Sequence, residues 1–170
     1  MAAPRKTAIR GTVARGNRTP SRSRGTVPPE PEQVADPERP RRVVDRRLER
    51  RNELARLHAG TAVLSSDTCD ADPYLLKAAK FHGEAAGACP VCRDAGMVTL
   101  TYVYGDQLGP YSGRIRATED LAAMSHQFGA FSVYVVEVCQ RCHWNFLVKT
   151  YVLGDGVPRR PPATPRDLLD

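Results

Sequence analysis

The chain has no run of about 18 apolar residues, so no transmembrane helix is expected. Its N-terminus is basic but has no apolar stretch behind it, which excludes reading it as a secretory signal. Residues 1–40 contain no aromatic side chain, and acids are absent through Arg24. With seven prolines besides, this arm cannot bury enough apolar area to offset chain entropy, and it is expected to be disordered. The stretch Glu30–Glu38 is acidic and Pro-rich, a stiffened spacer. No set of nucleophile, base and oxyanion donor stands out anywhere, so the sequence points to no active site.

Charge is unevenly placed. Up to Arg51 there are 14 basic and six acidic residues, a formal charge of +8; from Asn52 onward there are 11 and 13, a charge of −2. The high pI therefore belongs to the N-terminal end. A basic arm of this kind can hold nucleic acid nonspecifically, with affinity that falls as salt rises.

What the sequence does have is two cysteine hooks, Cys89-Pro90-Val91-Cys92 and Cys139-Gln140-Arg141-Cys142. Two residues between cysteines let a tight turn present both sulfurs to one tetrahedral ion, so Cys89, Cys92, Cys139 and Cys142 are the expected ligands of a structural Zn²⁺. The gap of 46 residues between the hooks is longer than the roughly 15–20 of a compact ribbon. The excess is assigned to an inserted loop, Gly105–Gly113, and a short helix after Thr118. Four thiolates fill a tetrahedral shell and leave no position for a reacting water. Four cysteines also suit an iron–sulfur cluster. His143 adjoins Cys142 and His82 precedes Cys89 by seven residues, but neither has ligand spacing as good as the cysteines. Cys69 is left over and reads as a small buried residue. The rival reading is a thiol redox protein or sensor using Cys89 and Cys92. Redox hooks usually open a helix, whereas Cys89 precedes a strand-like run. Cysteines in this pattern fit a reducing cytoplasm better than a disulfide scaffold.

The remaining pattern is α+β. A charge-laced helix is expected over Arg41–His58, between Pro40 and Gly60, with Val44, Leu48 and Ala55 on its apolar side and Val43, Leu54 and Leu57 beside them. Ser65 or Ser66 can cap a short turn. Asp72-Pro73 opens a second helix that Gly83 ends. Met97–Tyr104, Phe131–Val138 and Trp144–Leu153 are dense in strand-formers, and Thr118 can cap a helix that carries Leu121 and Met124 inward. The expected organisation is a disordered arm at 1–40, a helical segment at 41–83, a zinc-ribbon-like antiparallel unit at 84–154 and a disordered tail at 155–170. Tyr102, Tyr104, Tyr134, Trp144, Phe146 and Tyr151 could form a stacking platform for single-stranded nucleic acid. With few basic residues among them, packing in a small core is the simpler expectation. Strand alternation places Trp144 and Phe146 on one face and Tyr151 on the other.

Several stretches taken together resemble a small actinobacterial family, a domain of unknown function with a zinc-ribbon-like cysteine pattern. They are Val43-Val44-Asp45 before an Arg-rich helix, Cys69-Asp70-Ala71, the Cys-Pro-Val-Cys hook, Thr101-Tyr102-Val103-Tyr104-Gly105-Asp106, Tyr134-Val135-Val136-Glu137-Val138-Cys139, and Cys142 followed by Trp144-Asn145. The resemblance spans about Val43 to Gly154. It implies a bacterial cytoplasmic setting, makes residues 1–40 optional to the fold, and brings no activity with it. Members usually carry Gly after each hook, where this chain has Arg93 and His143. The functional expectation is a non-enzymatic adaptor or regulator that docks on a protein or nucleoprotein partner, with nucleic acid reached through the basic arm.

Overall fold

The structure is a computed structural model, and it describes residues 36–60 and 69–160. The expectations for the arm at 1–35, for the turn at Ser65–Ser66 and for the tail at 161–170 lie outside the described residues.

In chain order the elements are β1 (Arg41–Asp45), α1 (Arg47–His58), α2 (Pro73–His82), β2 (Glu84–Gly87), β3 (Met97–Tyr104), a 3-10 segment (Asp106–Tyr111), β4 (Arg114–Ile115), α3 (Asp120–Gln127), β5 (Phe131–Cys139) and β6 (Asn145–Leu153). The strands form one six-stranded sheet in the order β1-β6-β5-β3-β2, with the short β4 paired to β3. Every pairing is antiparallel. The expected class, α+β with an antiparallel sheet, is what is seen, but the sheet is larger than expected and the helices are not an N-terminal block.

The clearest correction is at Arg41. The helix expected from there starts at Arg47, and Arg41–Asp45 is an edge strand on β6, with Val44 opposite Thr150. Val43 and Val44 are β-branched and favour extended backbone. Asp45 then turns the chain, its Oδ1 accepting from Arg47 N at 2.9 Å. In α1 itself Leu48 is exposed, and Leu54 and Leu57 are the residues that turn inward. Its outer side carries the Arg46–Glu49 and Arg56–Glu53 pairs at 3.0 and 3.2 Å, as a charge-laced surface helix should.

The two faces of the sheet are covered differently. On one, α3 brings Leu121 and Met124 against Val103, Val133, Phe131 and Leu153, and α1 lies nearer the hooks. On the other, α2 covers Leu100 and Val138. A bulge in β6 between the partners of Val135 and Val136 alters the alternation: Phe146 faces Glu137 and Tyr151 faces Val133. Tyr151 therefore shares a face with Phe146, contrary to strict alternation.

α2 follows its sequence signals closely. Asp72 accepts from Tyr74 N and Leu75 N at 2.8 and 2.9 Å, and Pro73 is the first helical residue. Gly83 ends the helix with φ −75°, so it is not there for a left-handed turn. It is there because the chain passes close to β3: a Cβ would sit 2.5 Å from Ala79 O and 2.5 Å from Val98 Cγ2. Gly83→Ala should therefore lower stability by about 1–3 kcal/mol through overpacking, read as a shift of the urea midpoint at unchanged slope.

Thr118 does not cap α3. Its N–H and hydroxyl both go to the Glu84 carboxylate, at 2.7 and 2.8 Å, and so tie the approach to α3 to strand β2. Residues 155–160 are also held to the fold: Arg159 N donates to Gln107 Oε1 at 2.9 Å, and its guanidinium pairs with Asp155 at 2.6 Å.

Candidate metal centre

The topology explains how two hooks 46 residues apart in sequence can meet. The first is the turn between β2 and β3, and the second is the turn between β5 and β6. Strands β3 and β5 are paired with Met97 opposite Cys139, so both turns lie at one end of the sheet. The 3-10 segment and α3 lie in the connection leaving β3 at Tyr104 and returning to β5, paired there with Ser132. The long gap is thus an excursion up one strand and down its neighbour. The first hook does not follow α2 directly, as the sequence suggests, because strand β2 intervenes.

Each hook is the same turn. Cys89 N donates to Asp94 O at 2.8 Å and Arg93 N to Cys89 O at 2.9 Å. Cys139 N donates to Trp144 O at 2.8 Å and His143 N to Cys139 O at 3.0 Å. The residue after each second cysteine is left-handed, with φ 62° at Arg93 and 61° at His143. These are the two positions where the sequence resemblance leads one to expect Gly, and the turn gives the reason: only Gly takes this conformation without steric cost. Arg93→Gly and His143→Gly should each raise stability, by up to about 1 kcal/mol once the greater freedom of unfolded Gly is counted, seen as a higher Tm with unchanged metal content.

The four sulfurs converge. Cys89 and Cys142 Sγ are 3.6 Å apart, as are Cys92 and Cys139 Sγ, and all four lie within 4.8 Å of one another. Bonds of about 2.3 Å in a tetrahedron put sulfurs about 3.8 Å apart, so the set fits a single metal ion. The close pairs run across the hooks. Backbone amides point at the sulfurs: Val91 N reaches Cys89 Sγ at 3.4 Å, Asp94 N serves Cys92, and Trp144 N serves Cys142. The Asp94 amide pulls the Cys92 thiol below its ordinary value, whereas burial pushes Cys89 and Cys142 up.

A second layer braces the hooks. Asp94 accepts from Gly96 N at 2.8 Å and from Arg141 Nη1 at 2.9 Å, so one carboxylate closes the first turn and grips the second. Those two bonds, the Gly96 amide first, hold its carboxyl below the usual carboxylate range. Behind Cys139, buried Glu137 takes Trp144 Nε1 at 2.8 Å and Arg50 Nε at 2.5 Å on the same oxygen. Trp144 is fully buried and stacks on Phe146, the rings 5.9 Å apart and 6° from parallel. It belongs to the core and not to a stacking platform.

The segment Cys69-Asp70-Ala71 lies across the second hook: Ala71 N donates to His143 O at 3.1 Å and Asn145 Nδ2 to Asp70 Oδ1 at 3.0 Å. Cys69, like Cys92 and Cys142, packs against the cluster of Cys89, Met97, Cys139 and Trp144, and its thiol, pushed up by burial, is a hydrogen-bond neighbour of Cys142. Sequence reasoning missed this placement of the fifth cysteine, together with Asp94, Arg141 and Glu137. The signals available were that Cys69-Asp70-Ala71 and Glu137 lie in stretches that carry the family resemblance. His143 contributes its backbone to the turn and is exposed, and His126 is committed to Glu38 at 2.9 Å. Among the described residues no helix is long and apolar enough to cross a membrane.

Comparison with known proteins adds relatives but no activity. Residues 38–166 match a family described as a family of unknown function, DUF5318. Uncharacterized proteins of Mycobacterium tuberculosis and Mycobacterium bovis are 47% identical to the chain over 120 residues, covering 70% of this chain and 87% of theirs. No solved structure matches it.

Proposed function

The chain belongs to the DUF5318 family, whose function is unknown, and we propose that it serves as a non-enzymatic, zinc-ribbon-like adaptor or regulator in the cytoplasm. In this reading Cys89, Cys92, Cys139 and Cys142 hold a structural Zn²⁺, and the surfaces the ion braces dock on a protein or nucleoprotein partner. The observation that carries it is the convergence of four sulfurs within 4.8 Å. Four thiolates saturate a tetrahedral ion and leave no position for a reacting water or substrate. Of the metals that accept such a set, zinc is preferred because it is redox-inert and takes four thiolates in structural sites. The basic arm is the natural route to nucleic acid.

A thiol redox protein acting through Cys89 and Cys92 is the second reading. What favours it is the lowered Cys92 thiol. Against it, the 3.6 Å sulfur pairs join different hooks, and Cys89 opens a hairpin turn instead of a helix. Native mass spectrometry with metal analysis separates the two. One zinc per chain with all cysteines reduced supports the adaptor. A metal-free chain lighter by the two hydrogens of a disulfide, together with turnover of a disulfide substrate, supports the redox protein.

A further inference from the structure

The uncovered part of the sheet face that carries α2 holds a groove of about 550 Å³. It is lined by Leu75 of α2, by Val136, Leu147 and Asn145 of the sheet, and by Tyr102, Tyr104 and Tyr134. Strand register sets the tyrosines there. Tyr102 lies opposite Tyr134 on the paired strands, and Tyr104 is two residues along on the same face. Tyr104 and Tyr134 meet edge to face, with centroids 5.2 Å apart at 79°, while Tyr102 runs within 26° of parallel to Tyr104. Two adjoining aromatic walls at nearly a right angle are the beginning of a cation cage, because each ring face is the negative end of its quadrupole.

The polar groups around the groove have one character. No lining residue is cationic. Asn145 donates Nδ2 to Asp70 and to His143 O, which leaves its Oδ1 as an acceptor. The Asp72 carboxylate stands at the start of α2, accepting from Tyr74 N and Leu75 N at 2.8 and 2.9 Å, and so lies beside the lining residue Leu75. Carboxylates at the margin, neutral acceptors inside and π faces for walls repel a phosphate and attract a flat donor-rich cation. A guanidinium meets all three: it is planar, always charged, carries five donors and stacks on aromatic faces.

We infer that this groove receives the guanidinium of an arginine side chain presented by a partner polypeptide. The inference deepens the adaptor reading and rests on it: the metal end of the sheet fixes β3, β5 and β6, and the groove on those strands makes the contact. Tyr104 is 45% exposed, so its ring can be changed without opening the core.

The test uses the full chain with its metal, and a short blocked peptide of Gly and Ser around a single Arg. Peptide binding is followed through the tyrosine ring resonances. The expected result is shifts at Tyr104 and Tyr134, and binding weakened about tenfold when the Arg is replaced by citrulline, its uncharged isostere. Tyr104→Leu should weaken binding by a similar factor, while Tyr104→Phe, which keeps the π face, should retain it. Equal binding of the citrulline peptide, unchanged binding by Tyr104→Leu, equal loss in both variants, no ring shifts at millimolar peptide, or preference for oligothymidylate would each overturn the inference. Metal content and cysteine oxidation are measured on the same samples. A metal-free, oxidised chain would overturn the adaptor reading and the inference resting on it, whereas intact metal with variants that bind alike sinks the groove alone.

Discussion

Chelation of the metal from the reduced protein is expected to abolish its cooperative thermal transition, and Cys139→Ser is expected to do the same without chelator. The reason lies in what the two hooks join. Cys89 and Cys139 are buried together with Met97 and Trp144, and the turns they begin terminate β2–β3 and β5–β6. Ligation at structural zinc sites has an apparent worth of about 10–16 kcal/mol in finger peptides. A domain of this size has a total stability of about 5–15 kcal/mol, so the ligation term is at least as large as what remains to be lost. Burial pushes the Cys89 and Cys142 thiols up, so the emptied site takes up protons, and metal affinity must fall as pH falls. Calorimetry of metal-loaded and metal-free samples, both fully reduced, is the check. A metal-free sample that keeps its cooperative melt would remove the structural role of the ion.

The second large effect is expected at Glu137. Its carboxylate is 6% exposed and receives both the Trp144 indole N–H and the Arg50 guanidinium. Glu137→Ala strands both donors, one fully buried and one on a side chain 25% exposed. Breaking one partner of a buried pair typically costs about 3–5 kcal/mol, because the remaining charge is left uncompensated. Glu137→Gln keeps an acceptor for the indole and loses the charge, so its cost should be the smaller. Urea titration of the two variants decides: a midpoint for Glu137→Ala within error of the parent would mean that the Arg50–Glu137–Trp144 connection contributes nothing. The same pair of variants tests whether α1 is anchored to the sheet by this contact, since Arg50 is its link to Glu137.

The parts of the fold legible in the sequence are those determined locally. The strand at Met97–Tyr104 and the Asp72-Pro73 helix start are written in propensity and capping chemistry, and both stand where the residues place them. The grouping of Cys89, Cys92, Cys139 and Cys142 was legible because the spacing of each hook is local chemistry and needs no tertiary context. Arg41–Asp45 was not, because the strand exists through pairing with β6, more than 100 residues away, and an Arg-rich stretch beside a helix reads as its first turn. Glu84–Gly87 was hidden for a related reason: Ala85, Ala86 and Gly87 carry little strand propensity, and β3 supplies the ladder. The face of Tyr151 was misassigned because a bulge is one extra residue with no local signature. Alternation does put Tyr102 and Tyr104 on one side, but which half of that side α2 leaves bare follows from how α2 packs.

The hairpin placement of the hooks also sets a schedule for biosynthesis. Cys89 and Cys92 leave the ribosome ahead of Cys139 and Cys142 by the 46 intervening residues. At about 5–20 residues per second, that is an interval of roughly 2–9 s in which the first pair of thiols has no second pair beside it. β3 has no β5 to pair with during the same interval. The nascent chain must therefore keep two thiols reduced and one strand edge unaggregated until the return strand arrives, so that meeting of the four thiols and closure of the sheet become the same late event.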